Sequence, residues 1–195
     1  MSKVNRSFRS GPRRITLSAF ILLVVVSLRL LYLYSGRDEN QGQPEVLIEG
    51  RYDVVRVVDG DTLIVRPNRD TLASNTPDVR LAQIRLRLLS IDTPETTKPG
   101  HPPEPWGKEA TMFTKQFVRG GVVQLRFDKR RRDQYGRWLA YVYVGDQMLN
   151  QEIVRAGLAR VIIYRGDSMT IGRQLERSEQ EAQKANRGIW SERDI

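Results

Sequence analysis

Three short stretches concentrate residue types able to do ionic chemistry. The first is VVDGDTLIV (57–65), in which Asp59 and Asp61 flank Gly60 between apolar runs. Asp-Gly between β-branched residues predicts a hairpin, with Asp59-Gly60 at the bend. One acid suffices for a turn, so Asp61 is either a spare solvated charge or a carboxylate delivered for binding. With the bend at Asp59-Gly60 it falls on the side of Leu63 and Val65, which is costly unless it is paired, hydrogen-bonded or coordinated. The second stretch is RLLSIDTPE (87–95). Asp92 ends an apolar run that contains Arg87, Pro94 holds Thr93 extended, and Glu95 follows the turn. Asp61, Asp92 and Thr93 offer hard oxygen ligands that suit calcium or magnesium rather than zinc. The plainer alternative is an Asx/Pro turn with a solvated glutamate. The third stretch is DKRRRDQYGRWLAYVY (128–143), where basic side chains interleave with Tyr135, Trp138, Tyr141 and Tyr143. That pattern fits phosphate and base contact, and equally a solvated charged face beside ordinary strand packing. Arg137 stands apart as a cation at the start of a strand.

Composition narrows the chemistry. The 195 residues include no cysteine and one histidine, His101, which carries no assigned role. Thiol nucleophiles, thiolate zinc sites and histidine-rich metal sites are thereby excluded. Carboxylates, arginines and hydroxyls remain. A net charge of +9 and a pI near 10.2 suit a polyanionic partner, nucleic acid or an anionic membrane surface. The excess is uneven, however. Residues 1–44 hold seven Lys/Arg against two Asp/Glu, leaving 25 against 21 over 45–195.

The elements that must position these residues follow from periodicity. Arg13 and Arg14 precede an apolar run from Ile15 to Leu28, Arg29 interrupts it, and Leu30 to Tyr34 resume. Counted through Tyr34 the segment reaches about the 20 residues that span a bilayer. Basic charge before it places residues 1–14 in the cytoplasm and the remainder outside. The expectation is an uncleaved single-pass anchor over 15–34, or secretion after signal cleavage. A polar linker is expected over 35–50, a compact domain over 51–190 and a short tail over 191–195. Strand patterns occupy 51–58, 61–66, 84–91, 122–128 and 138–144. A long polar connection, 67–83, joins two of them. Helical spacing marks 107–119, 149–156 and 170–187, with Gly120-Gly121, Gly157 and Gly188 as stops. Five short strands with three helices predict an α+β fold, a small β-barrel.

The order of the motifs resembles a known family. DGDT (59–62), Arg87 with DTPE (92–95), WGKEA (106–110), DQYGR-x-LAYVY (133–143), LNQEIVRAGLARV (149–161) and RGIW (187–190) succeed one another as in the staphylococcal nuclease-like, thermonuclease family. The resemblance covers about 140 residues. It implies a five-stranded OB-type barrel with three helices and one Ca²⁺ held by Asp61, Asp92 and the Thr93 carbonyl. Glu95 corresponds to the general base, Arg87 and Arg137 to the phosphate-binding arginines, and Tyr135 to a nucleotide-pocket position. The implied activity is hydrolysis of DNA and RNA by a monomeric domain, leaving 3′-phosphate ends. Two features depart from the family pattern. The 67–83 connection is longer than in compact members, and Ile162, Ile163, Tyr164 and Arg165 replace the family's stacking tyrosines. The competing expectation is a non-catalytic OB-type nucleic-acid-binding module, which would not need Asp61, Asp92 and Glu95 together. A structural or peptide-binding role in an envelope assembly rests on the anchor alone.

Overall fold

The computed structural model describes residues 46–68, 83–96, 100 and 102–191. The expected anchor over 15–34 and most of the 67–83 connection lie outside the described residues. Among those described, no helix is long and apolar enough to cross a membrane.

Strands β1 (Gly50–Asp59), β2 (Thr62–Pro67), β3 (Ile84–Leu88), β5 (Val122–Arg126) and β6 (Trp138–Val144) form one sheet. Its order is β3-β2-β1-β5-β6, and a parallel pairing of β3 with β6 closes it into a barrel. Strands of alternating pattern bury one face each: Leu63 and Val65, Ile84, Leu86 and Leu88, Val123 and Leu125 meet inside. The outward positions on β2 and β3 include Thr62, Arg85 and Arg87, with Thr62 opposite Arg87. Two-residue strands β4 (Ile91–Asp92) and β8 (Arg160–Val161) pair beside the barrel, and β7 (Gln147–Met148) extends β6.

Three helices complete the described fold: α1 (Gly107–Phe117), α2 (Leu149–Arg155) and α3 (Met169–Lys184). The apolar stripes anticipated from spacing are the ones that pack, through Ala110, Ile153, Leu175 and Ala182. A single turn of 3₁₀ helix, Gly188–Trp190, follows α3, so the helix expected over 170–187 ends three residues early, at Lys184.

Three sequence expectations shift. The hairpin bend is Gly60-Asp61, not Asp59-Gly60, because β1 runs to Asp59 and pairs it with Thr62. Asp61 is therefore a turn residue rather than a strand residue on the side of Leu63 and Val65. The strand expected over 84–91 is interrupted at Leu89-Ser90. Ser90 adopts φ +63, and the buried Asn150 amide caps the break by donating to the Leu89 carbonyl at 2.9 Å. Finally, the linker expected over 35–50 yields its last residues to the domain. Leu47 is 2% exposed in the core, and Arg131 donates to its carbonyl at 2.8 Å.

Candidate active site

The site is assembled at one end of the β1–β2 hairpin. Asp59 terminates β1 and accepts four hydrogen bonds: from Gly60 N at 2.8 Å, Thr96 N at 3.1 Å, Thr96 Oγ1 at 2.8 Å and Thr111 Oγ1 at 3.0 Å. One carboxylate thus ties the hairpin to the segment after DTP and to α1. Gly60 must be glycine for steric reasons, since a Cβ there would lie 2.7 Å from Thr93 Oγ1 and 2.8 Å from Ala110 Cβ. The missing side chain lets the bend press against Thr93.

Asp61, delivered by that bend, is held from three directions. Its carboxylate accepts from Thr62 Oγ1 at 2.9 Å, Thr93 N at 3.1 Å and Arg87 Nη1 at 2.9 Å. The other terminal nitrogen of Arg87 donates to Asp92 Oδ1. One guanidinium therefore spans both aspartates, with the Asp61 side chain 4% exposed and that of Asp92 46%. Burial raises the Asp61 pKa; Arg87 and the hydrogen bonds from Thr93 and Thr62 oppose that rise without cancelling it. For Arg87, burial acts to lower the pKa, but the two aspartates outweigh it and hold the guanidinium above its ordinary value.

Glu95 lies past Pro94 in the electrostatic reach of the same group. Its pKa is raised, first by desolvation and then by the charges of Asp59 and Asp61, with a hydrogen bond to Asp59 favouring the protonated form. Its backbone is pinned by Glu104: Glu95 N donates to Glu104 Oε2 at 3.1 Å, and Glu104 N donates to Glu95 O at 2.8 Å.

Arg137 and Tyr135 belong to a separate turn organised by Asp133, which sequence reasoning passed over. Asp133 Oδ1 accepts from Tyr135 N and Arg137 N, both at 2.9 Å, while Oδ2 accepts from Arg137 Nε at 2.6 Å. An aspartate followed two and four residues later by turn donors, with Gly136 at φ +76, is an Asx-type signature that could have identified it. The 65% exposed Tyr135 ring sits 5.4 Å from the Arg137 guanidinium. Pairing of Arg87 with Leu139 puts Arg137, two residues earlier, on the same outward face as Arg87. The structure brings Asp61, Arg87, Asp92 and Thr93 into direct contact and Glu95 into their field; Arg137 and Tyr135 share the face from the adjoining turn.

The basic run 129–132 is mostly structural. Arg130 forms a bidentate pair with Asp167 at 2.8 and 3.0 Å, Arg131 bonds the Leu47 carbonyl, and Arg132 donates to the Gly136 carbonyl at 2.9 Å. Asp167 also accepts from Ser90 Oγ at 2.9 Å and Tyr164 N at 3.1 Å. It joins the strand break before Asp92 to the loop that leads into the Asp133 turn.

No group of three or more His, Cys, Asp or Glu side chains poised for a metal occurs among the described residues. The donor set nevertheless fits a hard cation. Two carboxylates share one guanidinium, so they converge, and the Thr93 main chain already touches Asp61.

A closed five-stranded barrel carries acids and an arginine on its outer face, beside an Arg–Tyr turn. Comparisons with known proteins identify the family that shares this fold. A family model described as staphylococcal nuclease homologue matches residues 85–192. The chain is 41% identical over 143 residues to a thermonuclease of Staphylococcus hyicus, covering 73% of this chain and 77% of that protein. It is 36% identical over 181 residues to a thermonuclease of Staphylococcus intermedius, covering 91% and 98%. Endonuclease YncB of Bacillus subtilis is 40% identical over 140 residues, covering 70% of this chain and 59% of that protein. The chain belongs to the staphylococcal nuclease family.

Proposed function

We propose that this protein is a Ca²⁺-dependent nuclease that hydrolyses phosphodiester bonds in DNA and RNA. The observation that carries the reading is the Arg87 guanidinium bridging Asp61 and Asp92, with a pKa-raised Glu95 alongside. Family membership and the thermonuclease and endonuclease relatives support it.

Asp61, Asp92 and the Thr93 carbonyl would hold the cation, which when bound neutralises phosphoryl oxygens and stabilises the charge that grows on them. Glu95 takes a proton from the attacking water. Its raised pKa suits that role, because a base nearer the working pH accepts the proton with greater driving force. Arg87 and Arg137 supply fixed positive charge on one face of the barrel, where the phosphate becomes more negative in the transition state. Asp133 orients Arg137 through its Nε, leaving the guanidinium's terminal nitrogens to meet the substrate. Tyr135, exposed beside it, offers a contact for the nucleotide.

The apolar segment 15–34, with basic residues before it, supports tethering to a membrane with the catalytic domain outside, or export after cleavage. The domain acts as a monomer in this reading. End-group analysis of digested, labelled DNA and RNA strands tests the reaction. Fragments of both should carry 3′-phosphates, and strands left intact, or cut to 3′-hydroxyl ends, would contradict the assignment.

A further inference from the structure

The WGKEA motif (106–110) opens α1, and the turn before it lies against the segment that carries Glu95. Glu104, Pro105, Trp106 and Gly107 form this turn, closed by Gly107 N donating to the Glu104 carbonyl at 3.0 Å. Trp106 occupies its third position with φ +70 and ψ −3, the left-handed geometry that glycine usually fills in a type II turn. The tryptophan side chain packs against the core. Strain of this kind persists only where the surroundings over-determine the chain, and it gathers at functional sites. Gly107 leaves no room for a side chain. A Cβ there would lie 3.0 Å from the carbonyl oxygens of Pro94 and Glu95 and 2.8 Å from Thr96 Cγ2. The turn and residues 94–96 are therefore in close contact.

Glu104 joins the two. Its Oε2 accepts from Glu95 N at 3.1 Å, and its own N donates to Glu95 O at 2.8 Å. Both hydrogen-bonding groups of the Glu95 main chain are thus tied to one residue. On the other side Thr96 N and Thr96 Oγ1 donate to Asp59 at 3.1 and 2.8 Å. Glu95 is consequently held at its backbone between the end of β1 and the entry to α1. Glu104 is exposed, so water replaces the acceptor if its side chain is removed, and the folded state loses little. What is lost is the position of Glu95.

We propose that Glu104 is a positioning residue for Glu95: its carboxylate, presented by the Glu104–Gly107 turn, fixes the Glu95 peptide so that the Glu95 side chain stays aimed at the group formed by Asp61, Arg87 and Asp92. The proposal rests on the nuclease reading with Glu95 as the base. Glu104 touches neither substrate nor cation in this role. It acts on the proton-transfer step, and hence on kcat rather than KM.

The test measures kcat and KM of the full-length chain on single-stranded DNA with Ca²⁺ for wild type, Glu104→Ala, Glu104→Asp and Glu104→Gln. Glu104→Ala is measured again in the Glu95→Gln background. Glu104→Ala should lower kcat about 10- to 100-fold, the scale expected when a reacting group is displaced by up to about 1 Å, with KM little changed. Glu104→Asp keeps the charge but is too short to reach the Glu95 amide, and it should show the same loss even if the alanine variant fails to fold. Glu104→Gln keeps an acceptor oxygen and should recover most of the rate. With Glu95→Gln already in place, Glu104→Ala should cost less than about twofold more, because residues that act as a unit are not additive. The proposal is overturned if the alanine and aspartate variants keep the wild-type kcat, or if their loss falls on KM alone. It is equally overturned if Glu104→Ala costs the same factor with and without Glu95. A wild-type chain that leaves the strands intact contradicts instead the nuclease reading on which the proposal depends.

Discussion

Replacing Asp167 by asparagine removes a charge from an enclosed ionic contact outside the site. Its side chain is 0% exposed, and that of Arg130 24%. The carboxylate receives two bonds from Arg130, one from Ser90 and one from the Tyr164 amide. Breaking a buried pair from one side costs about 3–5 kcal/mol. Asparagine keeps one acceptor oxygen and Arg130 has partial access to water, which brings the expectation to about 2–3 kcal/mol, or about 6–9 °C in Tm for a chain of this size. The cost should depend on pH in a defined sense. Burial pushes the Asp167 pKa up, but the hydrogen bond from Arg130 and those from Tyr164 and Ser90 outweigh it, and the folded value is lowered. Stability from a depressed carboxylate is present above the unfolded value, about 3.9, and is lost as pH falls through the folded value. Thermal unfolding of wild type and Asp167→Asn, followed by circular dichroism at pH 7 and across the range below about pH 4, reads both quantities. The Tm gap should be full at neutral pH and close on acidification. A gap that is absent at pH 7, or that persists unchanged in acid, refutes an ionic clamp at this position.

Further expectations concern the site. Gly60→Ala should destabilise by about 1–3 kcal/mol through overpacking against Thr93 and Ala110, measured by urea unfolding; an unchanged midpoint would mean the bend is not pressed against its neighbours. The wild-type rate should rise with pH through the raised Glu95 pKa, because the base must be ionised. The inflection in kcat/KM should fall above about 4.3, the ordinary glutamate value, and a profile with its only inflection at or below that value would argue against Glu95 as the base.

Much of the barrel is legible in the sequence because its strands are apolar runs or alternate, TLIVRP being the former and IRLRL the latter, and its helices repeat apolar residues every three or four positions. What escapes is decided by side chains bonding to backbone across the fold. The hairpin bend moves by one residue because Asp59 stays on its strand, bonding to Gly60, Thr96 and Thr111. The break at Ser90 carries no glycine or proline signal; Asn150, 60 residues away, and Asp167 stabilise it. Leu47 and Ile48 are too few to read as core, yet Leu47 is enclosed once Arg131 folds over the entering chain. Asp61, Arg87, Asp92, Thr93 and Glu95, which the fold brings together, stand out in the sequence by residue type and motif order. Asp59 and Asp133 do not, since each looks like a turn acid until its partners are known. The Arg130–Arg132 run reads as a phosphate-binding or solvated stretch, and it is instead largely spent on internal contacts.

The central claim is that Glu95 and a calcium held beside Arg87 make this barrel hydrolyse nucleic acid. The most direct measurement is cleavage of single-stranded DNA and RNA by the full-length chain, with Ca²⁺ or with a chelator, beside the Glu95→Gln variant under the same conditions. Both strands should be cut with Ca²⁺, activity should vanish on chelation, and Glu95→Gln should be slower by about 10²–10⁴-fold while unfolding at a temperature close to that of wild type. Intact strands in the presence of Ca²⁺, cleavage that survives the chelator, or an undiminished Glu95→Gln rate would contradict the account.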